Sequence, residues 1–187
     1  MSNKSELYLQ TPFGIEQNDA LIERVAHTLE TGKVSALLCH NPALVDHFAV
    51  KLGLADKTSY MLPYPNEGTS ELHPHIEGWH CFSIEPATLK NIKKTHKTMS
   101  VGVGPTGSVD DALEWGEVGA DYVAFAASET DAMDWWMRQV ILPCVAWGAN
   151  SLDHVETLIE KEVDLILPAP IFWQKDATDL NRLLALF

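Results

Sequence analysis

Residues able to do chemistry are thinly scattered along this chain, and most stand just past a short apolar run. His40, Asn41, Tyr64, Ser83, Glu85, Thr106, Ser128, Glu129 and Asn150 share that position. Glu129 is the candidate general acid or base, because it puts a carboxylate after the small residues Ala126-Ala127-Ser128. Nothing titratable pairs with it in sequence. Gly148, Ala149, Asn150 and Ser151 offer something different, a turn leading into a helix start, where free backbone N–H groups and the helix dipole suit a phosphate. An ordinary capped helix start carries the same residues, and both readings stay open. His73, His75 and His80, with His40 nearby, raise the idea of a metal held by neutral imidazoles. Their spacing follows no zinc pattern, so the expectation is no metal, with His73-Pro74-His75 in an exposed polar loop.

The elements that must position these residues come from one pattern, an apolar run, a turn and an amphipathic helix. It is clearest from Met99 to Trp173, in runs that open at Met99, Ala120, Ile141 and Val163. Each run is apolar at consecutive positions, as suits a strand covered on both faces in a parallel sheet. Ser108 and Ser151 stand as helix caps, each followed by acidic residues that favour the positive end of the helix dipole. Strand, helix, strand at this pitch means right-handed βαβ units.

The first half continues the count with strands at Glu6–Gln10, Lys33–Cys39, Thr58–Leu62 and Gly78–Ser83. Helices follow from Asn18-Asp19 to Gly32, from Pro42 to Gly53 and from Pro86 to Lys97, and a last helix starts near Ala177. The segment from Pro63 to Gly78 is the least regular. Eight strands with interleaved helices predict a single-domain α/β fold over 1–187, a compact (β/α)8 barrel near the roughly 200-residue lower limit for such barrels. An open doubly wound sheet is the alternative. Against it, Val101-Gly-Val-Gly-Pro105 is the nearest thing to a dinucleotide fingerprint, and its proline removes a donor that a pyrophosphate cradle needs.

Composition narrows the partners. The chain has 187 residues with 26 acidic and 13 basic, a formal net charge of −13, which disfavours nucleic acid and anionic membranes. No apolar stretch reaches a membrane span, and Met-Ser-Asn-Lys-Ser-Glu lacks a signal-peptide core, so the expected location is cytoplasmic. Cys39, Cys81 and Cys144 read as buried, reduced thiols. The pair Trp135-Trp136 must face different sides of its helix, in core packing or in a dimer seam, and a homo-oligomer is expected if one of the rings is on the surface.

Val101-Gly-Val-Gly104, Ser108-Val-Asp-Asp-Ala112, Gly119-Ala-Asp-Tyr-Val-Ala-Phe125, Leu142-Pro-Cys-Val-Ala-Trp-Gly148 and Val163-Asp-Leu-Ile166 together resemble thiamine-phosphate synthase and its relative, the thiazole tautomerase TenI. Leu7-Tyr-Leu-Gln-Thr-Pro12 is similar to that family's first strand. The resemblance implies a barrel in which a pyrimidine pyrophosphate, with magnesium, condenses with a thiazole phosphate. Such chemistry needs a cradle for two anionic groups and carboxylates for the metal.

Much of that machinery is replaced. The family's Gln-x-Arg-x-Lys stands as Leu37-Leu-Cys-His-Asn41, its Asn-Asp as Leu62-Pro-Tyr-Pro65, and its His-Leu-Gly-Gln leaves only His80. The Gly-Pro-x-x-x-Thr-x-Thr-Lys loop reads Phe125-Ala-Ala-Ser-Glu-Thr130, and Ala126 and Ala127 stand where TenI has its catalytic histidine. The phosphate end is nearer the family, with Gly148-Ala149 for Gly-Gly, while Leu167-Pro-Ala-Pro170 has two residues without an N–H. The expectation is therefore a divergent barrel that binds a small phosphorylated ligand but makes no thiamine phosphate. Its pocket would be lined by His40, Tyr64, His80, Thr106 and Ser128, with magnesium only if synthase chemistry survives. The alternative is a non-catalytic binding or interaction barrel.

Overall fold

A computed structural model describes residues 5–64, 73–174 and 177–187. Eight parallel strands close into a barrel in sequence order: β1 Glu6–Gln10, β2 Val34–Leu38, β3 Ser59–Pro63, β4 Gly78–Cys81, β5 Ser100–Thr106, β6 Tyr122–Ala126, β7 Cys144–Ala149 and β8 Leu165–Pro168. The seam is β1 on β8, with Leu7 opposite Ile166. Around them lie α1 Asp19–Glu30, α2 Pro42–Asp46 with a wider turn over His47–Lys51, α3 Pro86–Thr95, α4 Val109–Val118, α5 Thr130–Gln139, α6 Leu152–Glu160, α7 Ile171–Gln174 and α8 Ala177–Leu186. The compact (β/α)8 barrel expected from the strand count is the fold. Residues 65–72 of the irregular segment lie outside the described residues.

Local chemistry sets the helix starts. Asn18, Asn41, Ser108 and Ser151 each accept a backbone N–H through the side chain at the head of α1, α2, α4 and α6. Those caps satisfy donors that the first turn leaves without a partner. One strand boundary differs from the sequence reading. Ile141-Leu-Pro143 is not strand, and β7 begins at Cys144, after the proline that cannot donate to a ladder. Trp136 is fully buried, and its indole N–H donates to the Leu142 carbonyl at 2.8 Å, whereas Trp135 stays 43% exposed. Of the two rings, only Trp135 is available to a surface contact.

Consecutive apolar positions in each strand serve two separate cores. One face of each strand packs against the helices, around Leu7, Leu37, Val101, Val123, Ala146 and Ile166. The other fills the barrel interior with Tyr8, Leu38, Met61, Ala124, Val145 and Leu167. Two aspartates stitch the bottom of the sheet. Asp121, just before β6, accepts the Val101 N–H of β5 at 2.6 Å, and Asp164, just before β8, accepts the Cys144 N–H of β7 at 3.0 Å. The Gly-Ala-Asp-Tyr-Val and Val-Asp-Leu-Ile motifs are thus the same device used twice.

Candidate functional site at the barrel mouth

Barrels carry their sites where the strands end, on loops held by the sheet. Here that end is closed by rings. Inside it, His80 of β4 is fully buried, with Tyr122 of β6 at 5.8 Å and Trp147 of β7 at 4.6 Å, both nearly parallel to it. Phe82 meets the edges of His80 and Trp147 at 5.0 and 5.6 Å. Above these lie His40, whose ring is nearly parallel to that of Phe82 at 6.4 Å, and Phe13, 4.5 Å from His40.

A hydrogen-bonded chain runs beneath the stack. His80 Nε2 lies 3.0 Å from the Gly104 carbonyl, which can only accept, so this nitrogen carries the proton. Nδ1 is then an acceptor for the Tyr122 hydroxyl at 3.0 Å, and the Tyr122 oxygen accepts from Tyr8 at 3.2 Å. Burial pushes the His80 imidazole down to about 4, against the Gly104 carbonyl, which favours the charged ring; His40 adds a smaller push downwards. Burial likewise raises Tyr122 well above the ordinary phenol range. The assembly is neutral and stays neutral.

Glycines make the room for it. A methyl group at Gly102 would overlap the Tyr122 ring, and one at Gly104 would strike the Ala124 carbonyl. Val101-Gly-Val-Gly104 is therefore interior space for a tyrosine, and it makes no nucleotide cradle.

The sequence-derived candidates fall in different places. His80 does not line an open pocket, because the barrel interior encloses it. His40 is at the mouth; its N–H donates to Thr11, burial lowers its imidazole, and its Nε2 is buried with no hydrogen-bond partner among the described residues. Tyr64 packs edge-on against Trp79 and lines a cavity of about 250 Å³ with Pro63, Cys81, Phe82 and Ser83. Thr106 accepts the Ser108 N–H, and Ser128 is exposed. Glu129 is exposed, its carboxyl leaning over Gly107, and among the described residues no histidine or second carboxylate is bonded to it.

At the opposite side of the mouth, Gly148 has φ +88° and open space where a side chain would begin, and Asn150 is exposed. Ser151 is occupied as the α6 cap, accepting the His154 N–H at 3.2 Å, and His154 reaches across to the Ala127 carbonyl. The Ala169 N–H is spent on the Ala149 carbonyl, which, with Pro168 and Pro170 beside it, leaves the β8 side without a donor nest.

Sequence reasoning missed Phe13, Phe82, Trp147, Tyr8 and Tyr122. One signal was available: Gly102 and Gly104 alternate along β5 at the period of the inward face, so a large neighbour had to fill the space.

No protein-family model matches the chain. A thiamine-phosphate synthase from Erythrobacter litoralis is 34% identical over 193 residues, covering 92% of this chain and 90% of that protein. The chain belongs to the thiamine-phosphate synthase family. A thiamine-phosphate synthase from Hyphomonas neptunium is 28% identical over 88 residues, 41% of this chain and 40% of that one. The thiamine phosphate pyrophosphorylase of Pyrococcus furiosus shares the fold, with a TM-score of 0.74 over 99% of this chain and 96% of its own at 18% identity.

Against that family, the mouth is poor in cations among the described residues. No Lys or Arg stands between a strand and the next helix or strand in chain order. Nor do the residues fit a magnesium ion: Glu85 and Glu129 stand on separate loops, and no group of three or more His, Cys, Asp or Glu is arranged to hold a metal among the described residues. No helix among these residues is long and apolar enough to cross a membrane.

Proposed function

We propose that this chain is a member of the thiamine-phosphate synthase family that has given up the synthase reaction and keeps its mouth as a binding site for one small ligand. The observation that carries this reading is the neutral, ring-filled mouth. Pyrophosphate brings several negative charges into a site of low dielectric, and such charges need Lys, Arg or metal partners at close range. His40 and His80 are both held in the neutral form and cannot substitute. Within this reading the Gly148–Ser151 turn at the head of α6 is the place for a single phosphate group.

Two measurements test it. Purified protein given the thiazole phosphate, the pyrimidine pyrophosphate and magnesium is expected to form no thiamine phosphate; measurable product overturns the proposal. A thermal-shift titration with inorganic phosphate, thiazole phosphate and thiamine phosphate is expected to show saturable stabilisation that Asn150→Asp abolishes by adding charge. No shift at millimolar concentration removes the phosphate position.

A second reading, an interaction module, is favoured by the surface near the end of α5, where Trp135 is 43% exposed and Ile141 is fully exposed. Light scattering tests self-association there. A monomer at 100 μM that is unchanged by Ile141→Asp sets that reading aside.

A further inference from the structure

The sharpest charge contrast in this acidic chain lies on two neighbouring helices. No acidic residue stands between Glu85 and Asp110, and that stretch holds Lys90, Lys93, Lys94 and Lys97; after Lys97 no Lys or Arg follows until Arg138. α3 and α4 pack side by side, so the basic stretch and the acidic one share one flank of the barrel. Lys90 and Lys94 are exposed one turn apart on α3, with Lys97 exposed just past its end. Asp110, Glu114 and Glu117 are exposed at the same sequence spacing on α4.

Each helix is destabilised by this pattern on its own. Like charges three or four residues apart repel, as Lys90 does Lys94 and as Glu114 does both Asp110 and Glu117. The helix dipole accounts for Lys94 in the last turn of α3 and for Asp110 in the first turn of α4. It does not account for Lys90 in mid-helix, and it opposes Glu117, a carboxylate in the last turn of α4. Nor do the two helices neutralise each other. Lys93 is spent on Asp121, and among the described residues none of the six stripe residues makes an ion pair. Leu113, Trp115 and Val118 of α4 are only half-buried, so apolar surface lies among the charges.

We infer that α3 and α4 form the interface of a homodimer, in which a two-fold axis lays α3 antiparallel on α4 of a second copy. Lys90 then meets Glu117 of the other chain, Lys94 meets Glu114 and Lys97 meets Asp110, and symmetry makes each pairing twice. Both triplets cover the same number of residues, about 10 Å at the helical rise. The antiparallel arrangement also brings the negative end of α3 to the positive end of the other α4. A two-fold contact needs a surface that complements itself, and a basic helix beside an acidic one at matched spacing meets that need. The formal net charge of −13 makes most other approaches of two copies repulsive, which selects this one. Helices about 15 Å long give a contact at the small end of specific interfaces, so the dimer is weak and reversible. The inference is independent of the small-ligand reading of the mouth, and it uses neither Trp135 nor Ile141.

The test is sedimentation equilibrium of the full-length protein at 20–500 μM in 150 mM NaCl at pH 7.5. The parent is expected to show a reversible monomer–dimer equilibrium. Reversing the basic stripe in one protein, with Lys90→Glu, Lys94→Glu and Lys97→Glu, should weaken self-association at least about tenfold. Reversing the acidic stripe in another, with Asp110→Lys, Glu114→Lys and Glu117→Lys, should do the same. Mixing the two should form a heterodimer, because every pairing is then opposite in sign. A protein carrying all six changes keeps the parent's net charge and should dimerise within about threefold of it, which separates pairing from net charge. If the loss of Asp110 unfolds α4 by circular dichroism, Glu114→Lys with Glu117→Lys replaces the acidic triple.

A parent that stays monomeric to 500 μM overturns the inference. So does a dimer indifferent to either reversal, or a mixture of two folded reversal variants that fails to associate. A dimer abolished by Ile141→Asp and unchanged by both reversals belongs to the α5 surface and overturns it as well.

Discussion

Nδ1 of His80 faces the Tyr122 hydroxyl at 3.0 Å, while Nε2 of the same ring is committed to the Gly104 carbonyl. Both nitrogens are used by the neutral imidazole, and a second proton would put two donors face to face until Tyr122 gave up its own orientation. The stability of the fold therefore depends on pH through this ring. Its folded-state pKa, pushed down to about 4, lies below the value of about 6.5 expected in the unfolded chain. As pH falls the unfolded state takes the proton first, so the stabilisation is complete above about 6.5 and is lost on the way down to 4. The amount at stake is on the order of 3 kcal/mol. Urea denaturation at pH 7, 5.5 and 4.5 checks it. The slope of stability against pH should fall by up to one proton in His80→Gln, and identical slopes in the two proteins would exclude His80 as the source.

Gly102 is expected to resist even a methyl group. The added carbon would overlap the Tyr122 ring inside a closed barrel, where neither strand can move away without breaking its ladder. Gly102→Ala should cost about 3 kcal/mol, near the upper end of the usual overpacking penalty, and lower the Tm by about 6–12 °C. Removing the obstacle identifies the cause. Tyr122→Leu in the Gly102→Ala background should cost less than the sum of the two single changes, and strict additivity would mean that the clash is not what destabilises the variant.

The fold was readable because its signals are local. Ser108 and Ser151 cap their helices through their own neighbours, Pro42 opens α2, and the apolar runs mark seven of the eight strands to within a residue or two. The mouth was not readable, for a reason built into parallel barrels. Every strand is apolar on both faces, so nothing in Gly78-Trp-His-Cys81 tells which of Trp79 and His80 points inward. The partners of His80 come from β5, β6 and β7, and Tyr8 is 114 residues from the tyrosine it bonds. Glu129 is a carboxylate among small residues, and that same smallness leaves it exposed, with no base bonded to it among the described residues. The strand expected from Ile141 failed on Pro143, whose missing N–H ends the ladder one residue before Cys144.

The three cysteines should be inert in the folded protein. Burial pushes the thiols of Cys81 and Cys144 up to about 12 and that of Cys39 to about 11, far above the ordinary thiol, and all three are shielded by the core. At pH 8 a chromogenic disulfide reagent should label fewer than 0.3 thiols per chain within an hour, and about three at once in 6 M guanidinium. Rapid reaction of one thiol in the native protein would reveal a local opening at that strand.

The aspartates before β6 and β8 should contribute through the amides they hold more than through charge. Asp121 accepts both the Val101 N–H and the Lys93 ammonium at 2.6 Å, so two variants separate the contributions. Lys93→Met removes a surface ion pair and should cost under about 1 kcal/mol. Asp121→Ala also strands the N–H of a fully buried residue and should cost about 1–3 kcal/mol. Asp164 holds the strand amide of Cys144 with no lysine bonded to it among the described residues, so Asp164→Ala should resemble Asp121→Ala and not Lys93→Met. Chemical denaturation of the three variants decides it. If Lys93→Met costs as much as Asp121→Ala, the ion pair is the stabilising element at β6 and the amide clamp is incidental. If Asp164→Ala is silent, the two motifs do not share a function.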